Sequence, residues 1–525
     1  MTNAPIRRIS LALFAAGSVF LAGCGTNPVT GKSEIQFISE GQELEIGAQQ
    51  YAPARQSEGG DFELMPELTA YVNEVGQKLA AVSDRKLPYE FRVLNSSVPN
   101  AWALPGGKIA VNRGLLTELK SEAELAAVLG HEIVHAAARH GAKAAERGTL
   151  LQVGLAAAQI GAVIGEVDDQ LAGLVLTGAG LGAQLIQTRY SREQELESDL
   201  YGMRYMKAAG YNPQAAVSLQ ETFVRLSEGR KTGWLEGLFA SHPPSAERVA
   251  RNRETAQQLG DGGEIGSERY VARTAPLLKV KPAYDKYDEA LAALAKKDPG
   301  RARTLAAEAA RLEPREGRFQ QLLGDIALNE KRNKEAMPYY RQAIELSPDY
   351  FGSWLGAGVS QYRLGDKQGA KTSLTRSWEL LPTAPAALFL GNIARDSGDS
   401  DSALKYYQAA SSSQGSIGQA AQREAVLLDL PRNPGKYVTA AARAGGSGEV
   451  LLVVQNRAPV ALSNIQIAPV LVNGAGQIVQ KGKQVTIRGP LKSGEQVAVD
   501  GGLSSLTSEQ LPALRFMIEA ARIAE

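Results

Sequence analysis

Two histidines and a glutamate fall within one five-residue pattern that suits metal-assisted hydrolysis. His131, Glu132 and His135 form the sequence H-E-x-x-H. Residues four apart lie on one face of a helix, so both imidazoles can reach the same zinc ion at about 2.0–2.1 Å. Glu132 then lies beside the ion, where a general base can take a proton from water. The pattern predicts that His131 and His135 bind zinc and that Glu132 is the catalytic base.

A third ligand must come from elsewhere in the chain. The metzincin pattern would place a histidine at position 141, which is Gly141, and His140 lies on another face of an intact helix, so we expect a structural role for it. Glu195 and Asp199 are also four residues apart in a second helical pattern. We expect Glu195 to complete a His₂Glu site for one Zn²⁺ per chain. We expect Asp199 to accept a hydrogen bond from the outer nitrogen of a ligand imidazole.

The surrounding pattern predicts the elements that must position these residues. Ser121 and Glu124 form a capping-box pattern at the start of a helix that is expected to run to about Arg147. A further helix is expected from Ser191 to about Gly210. Other predicted elements are a helix at 65–82 and strands at 89–94 and 108–111. The strand at 108–111 is expected to be the edge to which an extended substrate adds.

Several linked motifs resemble one known peptidase family. They are N-A-W-A-L-P-G-G at 100–107, R-G-L-L at 113–116, E-L-A-A-V-L-G at 124–130, S-R-x-x-E-x-x-S-D at 191–199 and S-H-P-P at 241–244. Over about residues 30–255 they resemble the zinc metallopeptidase family of the CAAX prenyl protease and HtpX. The resemblance implies an α+β gluzincin-type protease domain with His131, His135 and Glu195 as ligands and Glu132 as base. Ser198 stands where that family usually has alanine.

His242 lies in the S-H-P-P motif before a helix that Ser245 can cap. In members of the family that enhance β-barrel assembly, a histidine of this motif is implicated in closing the metal site. The resemblance therefore implies a regulatory role for His242. Donation of a hydrogen bond to the developing oxyanion, or capping alone, are the alternatives.

The first residues are typical of a lipoprotein signal peptide. Arg7 and Arg8 precede an apolar run, and L-A-G-C ends at Cys24, the chain's single cysteine. We therefore expect lipidation of Cys24 and an outer-membrane, lipid-anchored protein on the periplasmic face. Zinc sites and iron–sulfur sites that need several thiolates are excluded. The 57 Lys and Arg balance 56 Asp and Glu, which argues against nucleic acid as a partner.

The rest of the chain carries a 34-residue repeat. Pro314, Pro348 and Pro382 share that spacing, and small residues recur in the same frame. The pattern resembles tetratricopeptide repeats, an all-α solenoid that commonly binds peptides or partner proteins. Short alternating segments after residue 449 predict a small all-β sandwich. The predicted divisions are a signal peptide at 1–23, a zinc metalloprotease domain at 24–258, a linker at 259–282, a tetratricopeptide-repeat domain at 283–435 and a β-sandwich-like domain at 440–525.

The combined pattern predicts a zinc endopeptidase that cleaves unfolded or misassembled envelope proteins. By resemblance to the members of the family that enhance β-barrel assembly, the β-barrel assembly machinery is a further expected partner. A chaperone or assembly adaptor with a structural zinc site is the main alternative, although such a site needs no base at Glu132. A zinc hydrolase acting on peptidoglycan is the other. Two apolar stretches between residues 149 and 187 are expected to be buried helices or a mobile cover, with a transmembrane hairpin as the less favoured alternative.

Overall fold

The protein is described by a computed structural model over residues 24–146, 190–229, 242–444, 450–501 and 513–524. The predicted signal peptide at 1–23 and the apolar stretches at 149–187 lie outside these described residues. Two compact units make up the chain, Met1–Ala357 and Gly358–Glu525.

The first unit begins with a mixed set of strands and helices that holds the predicted site. Its described strands are β1 (Cys24–Thr26), β2 (Ser33–Ile35), β3 (Glu90–Leu94), β4 (Ala101–Leu104) and β5 (Lys108–Asn112). The helices are α1 (Glu40–Ser57), α2 (Pro66–Ala80), α3 (Arg113–Leu116), α4 (Glu122–Ala137), α5 (Arg192–Ala208), α6 (Gln214–Gly229), α7 (Ala246–Leu259) and α8 (Ser267–Ala295).

Strands β3, β5 and β4 form one sheet in that spatial order. β5 is central, parallel to β3 and antiparallel to β4. The prediction that residues 108–111 form the substrate-binding edge is therefore wrong, because both sides of β5 are already paired. Strand β4 lies at an edge of this sheet and packs along α4. The sequence did not signal β4, since its four residues alternate too briefly to show a period.

The predicted helix at 65–82 is present as α2. Its apolar face, which includes Leu68, Val72, Val75 and Leu79, is fully buried in the core that also holds α4 and β5. Pro66 occupies the first turn, where a missing backbone N–H costs no hydrogen bond. Because this face packs against α4, α2 supports the helix that carries the H-E-x-x-H motif.

The helix that carries the H-E-x-x-H motif ends earlier than predicted. α4 stops at Ala137, and Arg139 adopts a left-handed backbone conformation with φ 62° before helical residues resume at 140–146. The Arg139 guanidinium donates to Glu43 Oε2 at 2.9 Å and to two further oxygens of the N-terminal segment. Such anchoring offsets the cost of a non-glycine residue in this region. The break changes the direction in which His140 points.

Helix pairs follow along the chain in the predicted repeat region. In the first unit they include α9 (Pro299–Leu312), α10 (Gly317–Asn329) and α11 (Asn333–Leu346). A Cβ added to Gly324 would lie 2.8 Å from a ring carbon of Tyr340, so only glycine permits this approach of α10 to α11. Ala302 and Ala336 are fully buried at the equivalent helix contacts. These contacts are the reason that small residues recur at a fixed spacing.

The boundary between the units falls within α12 (Phe351–Arg363), and the second unit continues the helix pairs. Its helices are α13 (Lys367–Leu380), α14 (Ala384–Asp396), α15 (Ser400–Ser411), α16 (Ser416–Asp429) and α17 (Pro434–Tyr437). A Cβ on Gly391 would lie 2.6 Å from the Tyr407 ring, which repeats the contact seen at Gly324.

The described residues at the end of the second unit form two small sheets. Their strands are β6 (Val438–Ala444), β7 (Val450–Asn456), β8 (Leu462–Val472), β9 (Ile478–Lys481), β10 (Val485–Ile487), β11 (Gln496–Asp500) and β12 (Leu514–Ile523). One sheet has the order β11-β7-β6; the other has the order β10-β8-β12, with β9 also paired to β8. Buried Leu452, Val454, Ile465 and Ile467 form the core that both sheets share.

The multidomain fold class is confirmed, with an α+β part, helical repeats and C-terminal sheets. The stretch predicted as a linker at 259–282 contains the first part of α8, whose Tyr270 and Leu277 are buried in the core with α4. The domain boundaries stay a proposal. Among the described helices, none combines the length and the apolar character needed to span a bilayer.

Candidate metal centre

Helix α4 presents His131 and His135 on one face. Ser121 caps the helix by accepting a hydrogen bond from the Glu124 amide at 3.2 Å. α4 crosses α5 at Gly130 and Gly202, where a Cβ on Gly202 would lie 3.0 Å from the Gly130 carbonyl carbon. Two glycines thus allow the helices to approach closely one residue before the first histidine.

This approach brings Glu195 of α5 to the paired imidazoles. His131 Nε2 and His135 Nε2 lie 3.0 Å apart. Glu195 Oε1 is 3.4 Å from His135 Nε2, and Glu195 Oε2 is 3.6 Å from His131 Nε2. All three side chains are largely or completely buried. Residues from two helices, 60 or more positions apart in the sequence, therefore converge on one point.

His242 lies in the same cluster. Its Nδ1 is 3.0 Å from Glu195 Oε1 and 3.2 Å from His131 Nε2. His242 is 5% exposed and precedes α7, which Ser245 caps by accepting from the Arg248 amide. One potential ligand atom from each of His131, His135, Glu195 and His242 lies within 4.8 Å of all the others.

These atoms fit a zinc ion. Two ligands at about 2.0–2.1 Å from a tetrahedral zinc ion are roughly 3.3 Å apart. The distances of 3.0, 3.2, 3.4 and 3.6 Å among the four side chains bracket that value. Three imidazole nitrogens and one carboxylate are also a donor set that suits zinc better than calcium or magnesium, which prefer oxygen.

Glu132 lies next to the cluster without entering it. It is 2% exposed, and its Oε1 is 3.6 Å from His242 Nε2. Glu132 Oε2 and His242 Nε2 have no hydrogen-bond partner among the described residues. Buried polar atoms of this kind are rare unless a ligand or substrate uses them. Glu132 is therefore placed where a general base is needed.

Asp199 and Arg248 hold the cluster from outside. Asp199 Oδ1 lies 2.9 Å from His131 Nδ1. Arg248 donates from Nε to Asp199 Oδ2 and from Nη2 to Asp199 Oδ1, both at 2.7 Å, and its Nη1 is 2.8 Å from Glu195 Oε2. The buried Arg248 guanidinium thus holds two carboxylates in place. Asp199 orients His131, and Glu195 faces the paired imidazoles.

The environment adjusts the protonation of these groups. Burial raises the pKa of Glu132, against the opposing effect of His242 and His131. Burial also lowers the pKa of His135 well below its ordinary value, so its lone pair is free for a metal. Burial acts to raise the pKa of Glu195, but His242 and His131 outweigh it and hold that pKa well below its usual range. Glu195 is thus ionised, while Glu132 has the greater affinity for a proton that a base requires.

A small apolar cavity of about 40 Å³ opens beside Glu132 and His242. Val128, Met203, Met206, Leu219 and Phe223 contribute its apolar wall. Two polar atoms in the lining, Ser198 Oγ and Gln220 Oε1, lack hydrogen-bond partners in the described part of the chain. The cavity has room for a small apolar side chain or for ordered water.

Comparison with known proteins agrees with this geometry. Residues 66–256 match peptidase family M48, and residues 287–351 match the tetratricopeptide repeat family. The mitochondrial metalloendopeptidase OMA1 of Schizosaccharomyces pombe is 33% identical over 250 residues, which cover 46% of this chain and 70% of that protein. The chain belongs to peptidase family M48. It is therefore a metallopeptidase, with tetratricopeptide repeats following the peptidase region.

Two bacterial relatives of the family are also similar. The β-barrel assembly-enhancing protease of Escherichia coli K12 is 25% identical over 409 residues, covering 70% of this chain and 82% of that protein. The metalloprotease LoiP of the same strain is 30% identical over 197 residues, covering 37% of this chain and 70% of that protein. A thermophilic TPR protein of Thermus thermophilus aligns with a TM-score of only 0.25 at 19% identity, over 28% of this chain and 81% of that protein, and has no weight in the assignment.

The structure brings together every predicted site residue except Cys24. His131, His135, Glu195 and His242 form the cluster, while Glu132 and Asp199 contact it. Cys24 instead begins β1, opposite Ile35 of β2. The roles assigned to these residues stay predictions that the geometry supports.

Several residues of this M48 site were not assigned a role from the sequence. Arg248 contacts both Asp199 and Glu195, and the Tyr190 ring stacks on His135 with centroids 3.8 Å apart. His140, for which we expected only a structural role, places its Nδ1 2.9 Å from His135 Nδ1. An arginine in the first helical turn after S-H-P-P was the available signal for Arg248, but nothing in the sequence indicated that it contacts Asp199 and Glu195. No sequence signal revealed the backbone turn at Arg139 that directs His140.

Proposed function

We propose that this chain is a zinc-dependent endopeptidase, anchored at the outer membrane through Cys24, that cleaves unfolded or misassembled envelope proteins. The observation that carries the proposal is the convergence of His131, His135 and Glu195, with Glu132 poised beside them. The name of the E. coli relative, a β-barrel assembly-enhancing protease, supports the choice of substrate class.

The proposed ligands of one zinc ion per chain are His131, His135 and Glu195. When bound, zinc supplies positive charge that polarises the scissile carbonyl and acidifies a water molecule. Glu132 accepts the proton of that water at its free carboxylate oxygen and delivers it to the departing amine. Asp199 and Arg248 keep His131 and Glu195 oriented throughout, so that little reorganisation accompanies the reaction.

We infer that an extended substrate adds to the edge of β4. This strand is antiparallel to central β5, and it packs along the helix that carries the motif. Binding through main-chain hydrogen bonds reads an extended backbone more than a sequence, which suits unfolded proteins. The apolar cavity next to Glu132 would then receive a side chain beside the scissile bond.

His242 is proposed to close the site at rest. This proposal is supported by the position of its Nδ1, which lies within 3.2 Å of both Glu195 and His131, where it would compete with water or substrate for a bound zinc ion. Cleavage then requires His242 to leave. The repeats are proposed to bind substrates or the β-barrel assembly machinery and so bring targets to the site.

Cleavage of casein and of an unfolded outer-membrane protein tests the proposed function. The wild-type chain, Glu132→Gln and His242→Ala are incubated with each substrate after zinc loading. Cleavage that Glu132→Gln abolishes supports an endopeptidase. Bound zinc without cleavage, even by His242→Ala, would overturn it and favour the adaptor, in which the repeats act and the zinc is structural.

A further inference from the structure

A chain of buried and half-buried polar side chains runs outward from His135. Its Nδ1 lies 2.9 Å from His140 Nδ1, and His140 Nε2 lies 3.3 Å from Glu197 Oε1. The second contact is electrostatic, since His140 Nε2 has no hydrogen-bond partner among the described residues. His135 and His140 are both 1% exposed.

Binding of a metal by His135 would determine which ring nitrogen carries the proton in both His135 and His140. The Nε2 atom of His135 faces His131 and Glu195, so a metal bound there leaves the His135 proton on Nδ1. Nδ1–H then donates to His140 Nδ1, which must be the unprotonated nitrogen of its ring. The His140 proton is consequently on Nε2, the nitrogen that lies 3.3 Å from Glu197 Oε1. One tautomer at each ring is thus compatible with a metal on His135 Nε2, with the hydrogen bond between His135 and His140, and with an N–H on the side of Glu197.

The N-terminal hairpin of β1 and β2 joins the same chain. Asn27 is completely buried, and its Nδ2 donates to Glu197 Oε1 at 3.1 Å and to Glu34 Oε1 at 3.2 Å. Its Oδ1 accepts from the Val29 amide at 2.9 Å. The hairpin is therefore bonded to the periphery of the metal cluster three residues after Cys24.

We propose that His140 and Glu197 are positioning residues that orient the zinc ligand His135, and that Asn27 extends this support to the N-terminal hairpin. The inference rests on the proposed zinc site. His131 is oriented by Asp199 and Arg248, and the chain through His140 supplies the matching support for His135. Each imidazole ligand thus has its own outer hydrogen-bond partner, as metal-bound histidines generally do.

The zinc dissociation constant, measured by competition with a chromophoric chelator, tests this inference without reference to activity. Loss of the residue that is hydrogen-bonded to a metal-binding histidine typically weakens metal binding about 10- to 100-fold. We expect that loss for His140→Leu and for Glu197→Leu. We expect His140→Asn, whose side-chain oxygen can replace the accepting Nδ1, to recover most of the affinity. Asn27→Leu acts one step further out and is expected to weaken binding only several-fold.

Glu193→Leu is the matched control. Glu193 lies on the same helix as Glu197, and its side chain is 78% exposed, so its loss leaves the contacts between His135, His140 and Glu197 in place. Circular dichroism and thermal unfolding of each metal-free variant show whether it folds. If the wild type binds zinc and folded His140→Leu binds it equally well, the positioning role is wrong; the same holds if His140→Asn is no better than His140→Leu. If the wild type fails to bind zinc, the proposed function fails instead.

Discussion

His242 Nδ1 lies 3.2 Å from His131 Nε2, although 111 positions separate the two residues in the chain. The loop before α7 thereby places a third imidazole against a pair that already has Glu195 as neighbour. A catalytic zinc site normally keeps one position open, whereas a site with four protein ligands is closed. The closed resting state proposed for this site depends on this contact.

Replacement of His242 should activate the peptidase. His242→Ala removes the fourth side chain but leaves His131, His135 and Glu195, so we expect bound zinc to remain and the rate of casein cleavage to rise several-fold. The double variant with Glu132→Gln is the control and should be inactive. A fall in the catalytic rate with zinc retained would show that His242 stabilises the transition state rather than closing the site.

Arg248 should be necessary for metal binding although it is too far out to be a ligand. Arg248→Gln leaves the buried carboxylates of Asp199 and Glu195 without their cation. We expect zinc affinity to fall about 10- to 100-fold and the free energy of unfolding to fall by about 3 kcal/mol. The control is Arg251→Gln on the same helix, where the side chain is exposed. Equal zinc affinities for the two variants would contradict the role of Arg248.

The cavity beside Glu132 should set a preference for small apolar side chains next to the scissile bond. Ala216 lines the cavity, so Ala216→Leu fills part of about 40 Å³ and should lower kcat/KM most for the larger of two matched peptides. Ser218→Leu, on the same helix but outside the lining, is the control. The ratio of kcat/KM for the two peptides is the measurement, and an unchanged ratio in Ala216→Leu would rule out this cavity as a substrate subsite.

Stability of the repeat region should depend on pH through Asp325. Burial raises the pKa of Asp325 to about 6, despite the hydrogen bond from Tyr340 at 2.7 Å. Because the folded pKa exceeds the unfolded one, the folded state holds the proton more tightly, and the stability that this adds is lost as pH rises towards about 6.

Asp325→Asn removes this titration. The free energy of unfolding of this variant, minus that of the wild type, should increase by an amount on the order of 2 kcal/mol or less between pH 4 and pH 6. Above pH 6 the difference should stay constant. Tyr340→Phe should move the wild-type transition to higher pH, since it removes a hydrogen bond that lowers the pKa. Chemical unfolding at a series of pH values provides both tests. A difference that is constant with pH would contradict the prediction.

Short-range patterns carried much of the information about this site. The spacing in H-E-x-x-H and the i, i+4 pair Glu195 and Asp199 are set by helix geometry, so the sequence could indicate which side chains share a face. The 34-residue spacing likewise reflects close helix contacts such as that of Gly324 with the Tyr340 ring. These spacings depend on contacts within one helix or one repeat, so they can be predicted from the sequence.

Long-range contacts account for what sequence reasoning missed. The left-handed Arg139 is held by Glu43 from a distant helix, and this turn directs His140 to His135. Strands β6 and β12 are rich in alanine and other residues that favour helices. They are strands because β6 is hydrogen-bonded along its length to β7 and β12 along its length to β8. The central place of β5 likewise follows from the partners on both its sides.

Anomalous X-ray diffraction from crystals of the zinc-loaded chain, recorded on both sides of the zinc absorption edge, tests the central claim most directly. We expect a single peak per chain, about 2.0–2.2 Å from His131 Nε2, His135 Nε2 and a Glu195 carboxylate oxygen. A peak elsewhere, or no peak at this cluster in zinc-replete crystals, would contradict the proposed catalytic centre.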